Sequence, residues 1–210
     1  MTLDAGDLFA IPLPTGGFVT GCIVLNPRAP STKASLGTRS RLAEHGELLL
    51  DVFGPVSPEP NTDSSEYLIH GIWTDASRLQ GRKGWPILGR RTVDPTKVEF
   101  PEYVLRSNNR IMFECGEIFL PLPISDDEFE VVRGGAVYVS IASLPNKCVN
   151  LTGGRGLFGE EAILYDLDGR TELRYSPYRP LVYRALGVNP NRSYWDWATS
   201  LGLDPGRFWR

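Results

Sequence analysis

The sequence predicts an α+β fold: a mainly antiparallel sheet, twisted or partly barrel-like, with short C-terminal helices. Two observations carry this expectation. The 22 glycines and 17 prolines in 210 residues are scattered without period. Glycine supplies positive φ, and proline fixes φ and removes a donor, so together they cut the chain into short elements and many turns. Strand-like runs come first and helix start and stop residues come last, the order of an α+β chain.

The clearest strands are residues 7–13 and 18–25, apolar and aromatic runs on either side of Pro14-Thr15-Gly16-Gly17, a hairpin signature. Pro12 must then face an unpaired edge or a bulge. Residues 26–45 predict a loop ending in a helical turn around 41–44, and residues 47–53 a third strand. Residues 54–65 contain Pro55, Pro58 and Pro60 with Gly54, Asn61 and Asp63, which predicts a long exposed loop. Residues 67–74 follow as a strand, and residues 84–89 as an apolar insert that buries Trp85. Strands are also expected at 98–105, at 110–122 with an interruption, and at 136–142 after Gly134-Gly135. Residues 159–165 fit either a short helix or a strand. Residues 180–186 have proline near the start and Gly187 at the stop, and residues 193–201 have Ser193 as a cap and Gly202 after the last turn, so both predict helices. The expected division is a β-rich domain over 1–125 and an α+β extension over 126–210 packed on it. Gly6-Asp7-Leu8-Phe9-Ala10-Ile11-Pro12-Leu13-Pro14 is echoed by Gly116-Glu117-Ile118-Phe119-Leu120-Pro121-Leu122-Pro123, two strands that could lie side by side in one sheet.

Composition narrows the function. With 41% hydrophobic and 22% charged residues the chain is globular rather than disordered. At this length a fold removes roughly 70% of the unfolded surface from water, so no staple is needed. The balance of 22 Lys+Arg against 25 Asp+Glu does not suit direct nucleic-acid binding, which relies on clustered basic residues. No stretch approaches the ~20 apolar residues of a membrane span, and Met1 to Asp7 has neither a basic nor an apolar leader region, so a cytoplasmic, membrane-free protein is expected. Cys22, Cys115 and Cys148 are odd in number and far apart, as expected of buried free thiols in a reducing compartment.

The chemistry-bearing residues are sparse. His45 and His70 lack a second ligand at metal spacing, Glu47 and Glu66 are isolated carboxylates, and no nucleophile elbow exists, so no catalytic, metal or cofactor site is expected. The glycine-rich residues 153–159 with Arg155 lack the Gly-Lys-Ser/Thr of a phosphate loop and are read as a turn. Between 114 and 130 lie Glu114, Glu117, Asp126, Asp127, Glu128 and Glu130 without a Lys or Arg, whereas Arg170, Arg174, Arg179, Arg184 and Arg192 follow with only Glu172 among them. This asymmetry fits an internally paired or solvated face first, a surface that steers a basic partner second, and an Mg²⁺ or acid/base site third. Tyr194, Trp195, Trp197, Phe208 and Trp209 crowd the C-terminus and suit core packing or a partner hot spot.

The N-terminal block, with Gly17-Phe18 and Gly21 ahead of Ile23-Val24-Leu25, resembles the opening of the bacterial immunity protein 26 family, a G-D-x-F-x-I-P-L-x-x-G-x-(aromatic)-x-x-G hairpin. Gly84-Trp85-Pro86-Ile87-Leu88-Gly89 and Pro101 continue the resemblance, which covers about the first 125 residues. It implies a non-catalytic cytoplasmic protein that binds and neutralises a cognate bacterial toxin, one that attacks nucleic acid in many such systems. Under that reading the candidate contacts are Glu59, Asp63 and Glu66, the acidic residues 114 to 130, and Trp195 and Trp209. The alternatives are a metal-dependent hydrolase using Asp126 and Asp127, or an endoribonuclease on an SH3-like barrel, whose first strands the same hairpin resembles.

Overall fold

The computed structural model describes residues 3–29, 32, 42, 48–79, 84–133, 139–153 and 172–209. The chain is an α+β protein, and its described strands form two antiparallel sheets. The first holds β1 (Asp7–Pro12), β2 (Phe18–Leu25), β3 (Leu48–Ser57), β4 (Glu66–Thr74) and β5 (Ile87–Arg90) in the order β4-β3-β2-β1-β5. The second holds β6 (Glu102–Ser107), β7 (Arg110–Cys115) and β8 (Ile118–Pro121) in sequence order. Neither sheet closes into a barrel among the described residues. Pro12 pairs only toward β2, because β5 reaches no further along β1 than Phe9.

Several elements differ from the sequence expectation. β3 extends through Gly54 and Pro55 to Ser57, so the loop is shorter than 54–65. Its partner there is the start of β4, with Gly54 opposite Glu66. The apolar insert ends in β5, which pairs with β1 and leaves Trp85 half-buried and stacked on Phe9 at 6.1 Å. The 110–122 run breaks at Gly116, where φ is +58° and an added Cβ would lie 2.8 Å from the Tyr194 ring, so only glycine fits the turn between β7 and β8. The echoed segments, β1 and β8, lie in different sheets rather than side by side.

Among the described residues four helices follow: α1 (Asp126–Val132), α2 (Leu144–Thr152), α3 (Arg179–Leu186) and α4 (Tyr194–Ser200). α3 and α4 match the sequence reading, with Gly187 left-handed at φ +67° and Ser193 Oγ accepting from the Asp196 N–H at 3.1 Å. α1 was not anticipated; Ser125 and Glu128 form a reciprocal capping box at its start. Nor was α2, and the described part of 136–142 turns into it rather than forming a strand. The turns and elements expected at 134–138, 154–159 and 159–165 lie outside the described residues, as does the helical turn at 41–44 apart from the buried Leu42.

Strand alternation sends Phe9 and Ile11, Val19 and Ile23, and Leu50 and Val52 to one face of the first sheet. There they join Val104, Phe113 and Ile118 of the second sheet and Val182, Tyr183 and Trp197 of the helices in one core. Aromatic contacts knit it: Trp73 to Phe100 at 6.1 Å, Phe100 to Tyr194 at 4.4 Å, Phe113 to Trp197 at 5.2 Å. Each such pair adds about 0.5–1.5 kcal/mol beyond area burial. The opposite face of the first sheet carries a separate small cluster of Leu8, Cys22 and Phe53 with Leu88 against it.

Candidate functional site

On that opposite face a proline-rich loop and a cleft adjoin. The loop between β3 and β4 is tied down at several points. Thr20 Oγ1 donates to the Asn61 carbonyl, Ser64 Oγ to the Gly54 carbonyl, and the Asp63 N–H to Asn61 Oδ1 at 2.8 Å. Arg91 Nη2 donates to the carbonyls of Thr62 at 2.7 Å and Ser64 at 2.8 Å. These bonds hold the backbone while leaving the side chains outside: Glu59, Asp63 and Glu66 are exposed, beside Val56 at 40% and Tyr67 at 45% exposure.

Beside the loop, the segment after β5 folds over the sheet and encloses a cleft of about 180 Å³, lined by Cys22, Asp51, Phe53, Tyr67 and Arg91 among others. Asp51 is the cross-strand partner of Cys22. Burial raises its carboxyl to about 6. Its Oδ1 accepts from the Gly71 N–H at 2.8 Å, and His70 Nε2 stands 4.0 Å away, beyond hydrogen-bond reach. Gly71 is left-handed at φ +68°, and a Cβ there would sit 2.1 Å from the Glu99 carbonyl oxygen, so this close approach needs glycine. The Phe53 and Tyr67 rings lie 5.0 Å apart, Tyr67 stacks on His70 at 4.0 Å, and the Arg91 guanidinium covers Phe53 at 4.5 Å. The Cys22 thiol is pushed up to about 12, by burial first and by Asp51 next, so it packs as a small hydrophobe and is no nucleophile.

Behind the cleft runs a chain of buried ion pairs. Arg174 donates to the carbonyls of His70 and Gly71 and, through Nε, to Glu172 at 2.8 Å. Glu172, whose side chain has 0% exposure, also accepts from the Glu102 N–H at 3.0 Å. Arg179 binds both oxygens of Glu102 at 2.8 and 2.7 Å, and the Tyr183 hydroxyl donates to it at 2.6 Å. The network joins β4 to β6 and α3, and every carboxylate in it is supplied with donors. Two of the tail arginines, Arg174 and Arg179, are thereby internal structure.

The acidic residues of 114 to 130 are placed very differently from those of the loop. Glu114 is buried, and Glu117, with 7% of its side chain exposed, is bound by Arg207. Asp126 pairs with Arg106 at 2.6 Å, Glu128 caps α1, and Glu130 pairs with Arg133 at 3.1 Å. Asp127 is exposed in the first turn of α1, where negative charge suits the helix dipole. Trp195 is half-buried against Gly206, and Trp209 is half-buried with its Nε1 donating to the Val24 carbonyl at 2.9 Å. The structure therefore gathers Glu59, Asp63 and Glu66 in one place and disperses the rest. Asp51, Arg91 and the cleft were not anticipated. One signal was available: Asp51 interrupts the apolar run Leu48-Leu49-Leu50-Asp51-Val52-Phe53.

Among the described residues no group of three or more His, Cys, Asp or Glu side chains is arranged to hold a metal ion, and no helix is long and apolar enough to cross a membrane. No family model matches the chain, and no curated protein or solved structure matches it significantly.

Proposed function

We propose that the chain is a non-catalytic cytoplasmic immunity protein that binds and neutralises a cognate protein toxin through the face bearing the locked loop. The observation that carries this reading is the loop itself. Three exposed carboxylates and an exposed tyrosine sit on a backbone held by hydrogen bonds from Thr20, Ser64 and Arg91. Pre-ordering of this kind lowers the entropy lost on association. An acidic, aromatic-edged surface suits a basic partner, such as the groove of a nucleic-acid-targeting toxin, because complementary fields speed encounter and disfavour wrong partners. The resemblance of the N-terminal hairpin to the immunity family supports the same reading.

The hydrolase alternative rests on Asp126 and Asp127, and their positions do not favour it: one is bonded to Arg106 and both serve the first turn of α1. The endoribonuclease alternative rests on a barrel, whereas the described strands form two open sheets. The deciding experiment is copurification with the product of the adjacent gene, with rescue of its toxicity. A complex that weakens at high salt and on Glu59→Lys, Asp63→Lys and Glu66→Lys together is expected. Absence of both complex and rescue overturns the reading.

A further inference from the structure

The geometry points to the cleft over Asp51 as the socket for one basic side chain, lysine or arginine, presented by a protein partner. This inference rests on the partner-binding reading above and specifies its anchor. Asp51 is 8% exposed and lines the cleft. Its Oδ1 is used by Gly71, but Oδ2 receives no hydrogen bond from any described residue. A cleft-lining carboxylate oxygen that no described residue bonds is open to an incoming ammonium or guanidinium, which supplies charge-assisted donors to it.

The walls agree with that occupant. Phe53 and Tyr67 present tilted rings, and ring faces attract cations; Phe53 already carries the Arg91 guanidinium on one face. Arg91 makes no hydrogen bond to Asp51; its Nη2 donates instead to the carbonyls of Thr62 and Ser64. Lys97 and Asp94 also line the cleft and pair with each other at 3.8 Å, with 73% of the Lys97 side chain exposed. The volume, about 180 Å³, falls below the roughly 300–1,000 Å³ of ordinary small-molecule pockets and suits a single side chain. Arg91 also fastens the acidic loop to this cleft, so the charges that steer a basic partner stand next to the carboxylate that receives its anchor.

The test uses the whole chain and three soluble probes at millimolar concentration, Nα-acetyl-lysine amide, Nα-acetyl-arginine amide and the uncharged Nα-acetyl-norleucine amide, followed by amide chemical shifts. Saturable shifts at Tyr67, Gly71 and Arg91 are expected with the cationic probes and not with norleucine, and comparison of the two cations identifies the preferred head group. Asp51→Asn should weaken binding about tenfold or more, the loss expected for one hydrogen bond to a charged group. Because Asp51 is buried, Tyr67→Ala at an exposed ring is the second variant, expected to weaken binding several-fold with the fold unchanged. No saturable shift, or equal shifts with norleucine, overturns the socket even if a toxin complex forms. Probe binding without any toxin complex upholds the socket as a cation site and overturns the immunity reading instead.

Discussion

The carboxylates of the α1 region and those of the β3–β4 loop carry similar charge and spend it differently. Around α1, Asp126 is paired with Arg106, Glu128 closes a capping box, and Glu117 nearby is clasped by Arg207. In the loop, the hydrogen bonds go to the backbone through Thr20, Asn61 and Arg91, and Glu59, Asp63 and Glu66 are left in solvent. A region whose side chains are used to hold the fold has little left for a partner, whereas a region whose backbone is held by other residues can offer its side chains. The same contrast recurs deeper in the molecule: Glu172 and Glu102 accept several hydrogen bonds each, and one oxygen of Asp51 accepts none from the described residues.

The sharpest way to break this contrast is to disrupt the saturated network. Arg174→Met leaves the Glu172 carboxylate buried without its cation and should cost about 3–5 kcal/mol in urea unfolding. A loss below 1 kcal/mol would mean that the network does not hold the two sheets together.

Asp51 supplies the next effect, through pH. Its carboxyl lies near 6 when folded, against about 3.9 for an ordinary aspartate. Between those values the folded chain binds a proton that the unfolded chain does not, so this group adds stability as pH falls through 6 and withdraws it as pH rises. Relative to Asp51→Asn, the wild type should therefore gain roughly 2–3 kcal/mol between pH 7.5 and pH 4. The comparison cancels the other carboxylates, and equal pH profiles for the two proteins would contradict the burial assigned to Asp51.

Smaller effects separate the two acidic regions. Ser125→Ala removes the cap of α1 and should cost about 1 kcal/mol. Neutralising Glu59, Asp63 and Glu66 to Gln should change stability by less than about 0.5 kcal/mol each, because exposed groups away from structural bonds contribute little. A larger loss in thermal melts would place the loop carboxylates with the structural set and remove their availability to a partner.

Much of the fold was legible without coordinates. The first hairpin follows from two apolar runs around Gly16-Gly17, and α3 and α4 from Pro180, Gly187, Ser193 and Gly202. β5 was hidden because Ile87-Leu88-Gly89-Arg90 is only four residues long, contains a glycine and has no alternating pattern, and its pairing partner is the edge of β1. α1 was hidden in plain view, since Ser125 and Glu128 form the Ser-x-x-Glu capping pattern inside a stretch that draws attention for its charge. α2 likewise carries Pro145 near its start and Gly153 at its end.

The site was less legible. The surface position of Glu59, Asp63 and Glu66 could be inferred from the prolines around them, but the bonds that hold the loop come from Thr20 and Arg91, which lie 41 residues before Asn61 and 29 residues after Thr62. Cys22 and Asp51 are neighbours only through the register of β2 with β3.

The amino-acid sequence by itself determined the α+β class, the antiparallel hairpins and the ends of the last two helices, because periodicity, turn residues and caps act within a few residues of one another. Only the tertiary structure decided which of the charges are structural and which are available. That choice depends on burial and on partners brought together from distant segments: Arg207 reaching Glu117, Arg174 reaching the backbone of β4, Arg179 reaching Glu102, and no described side chain reaching the second oxygen of Asp51.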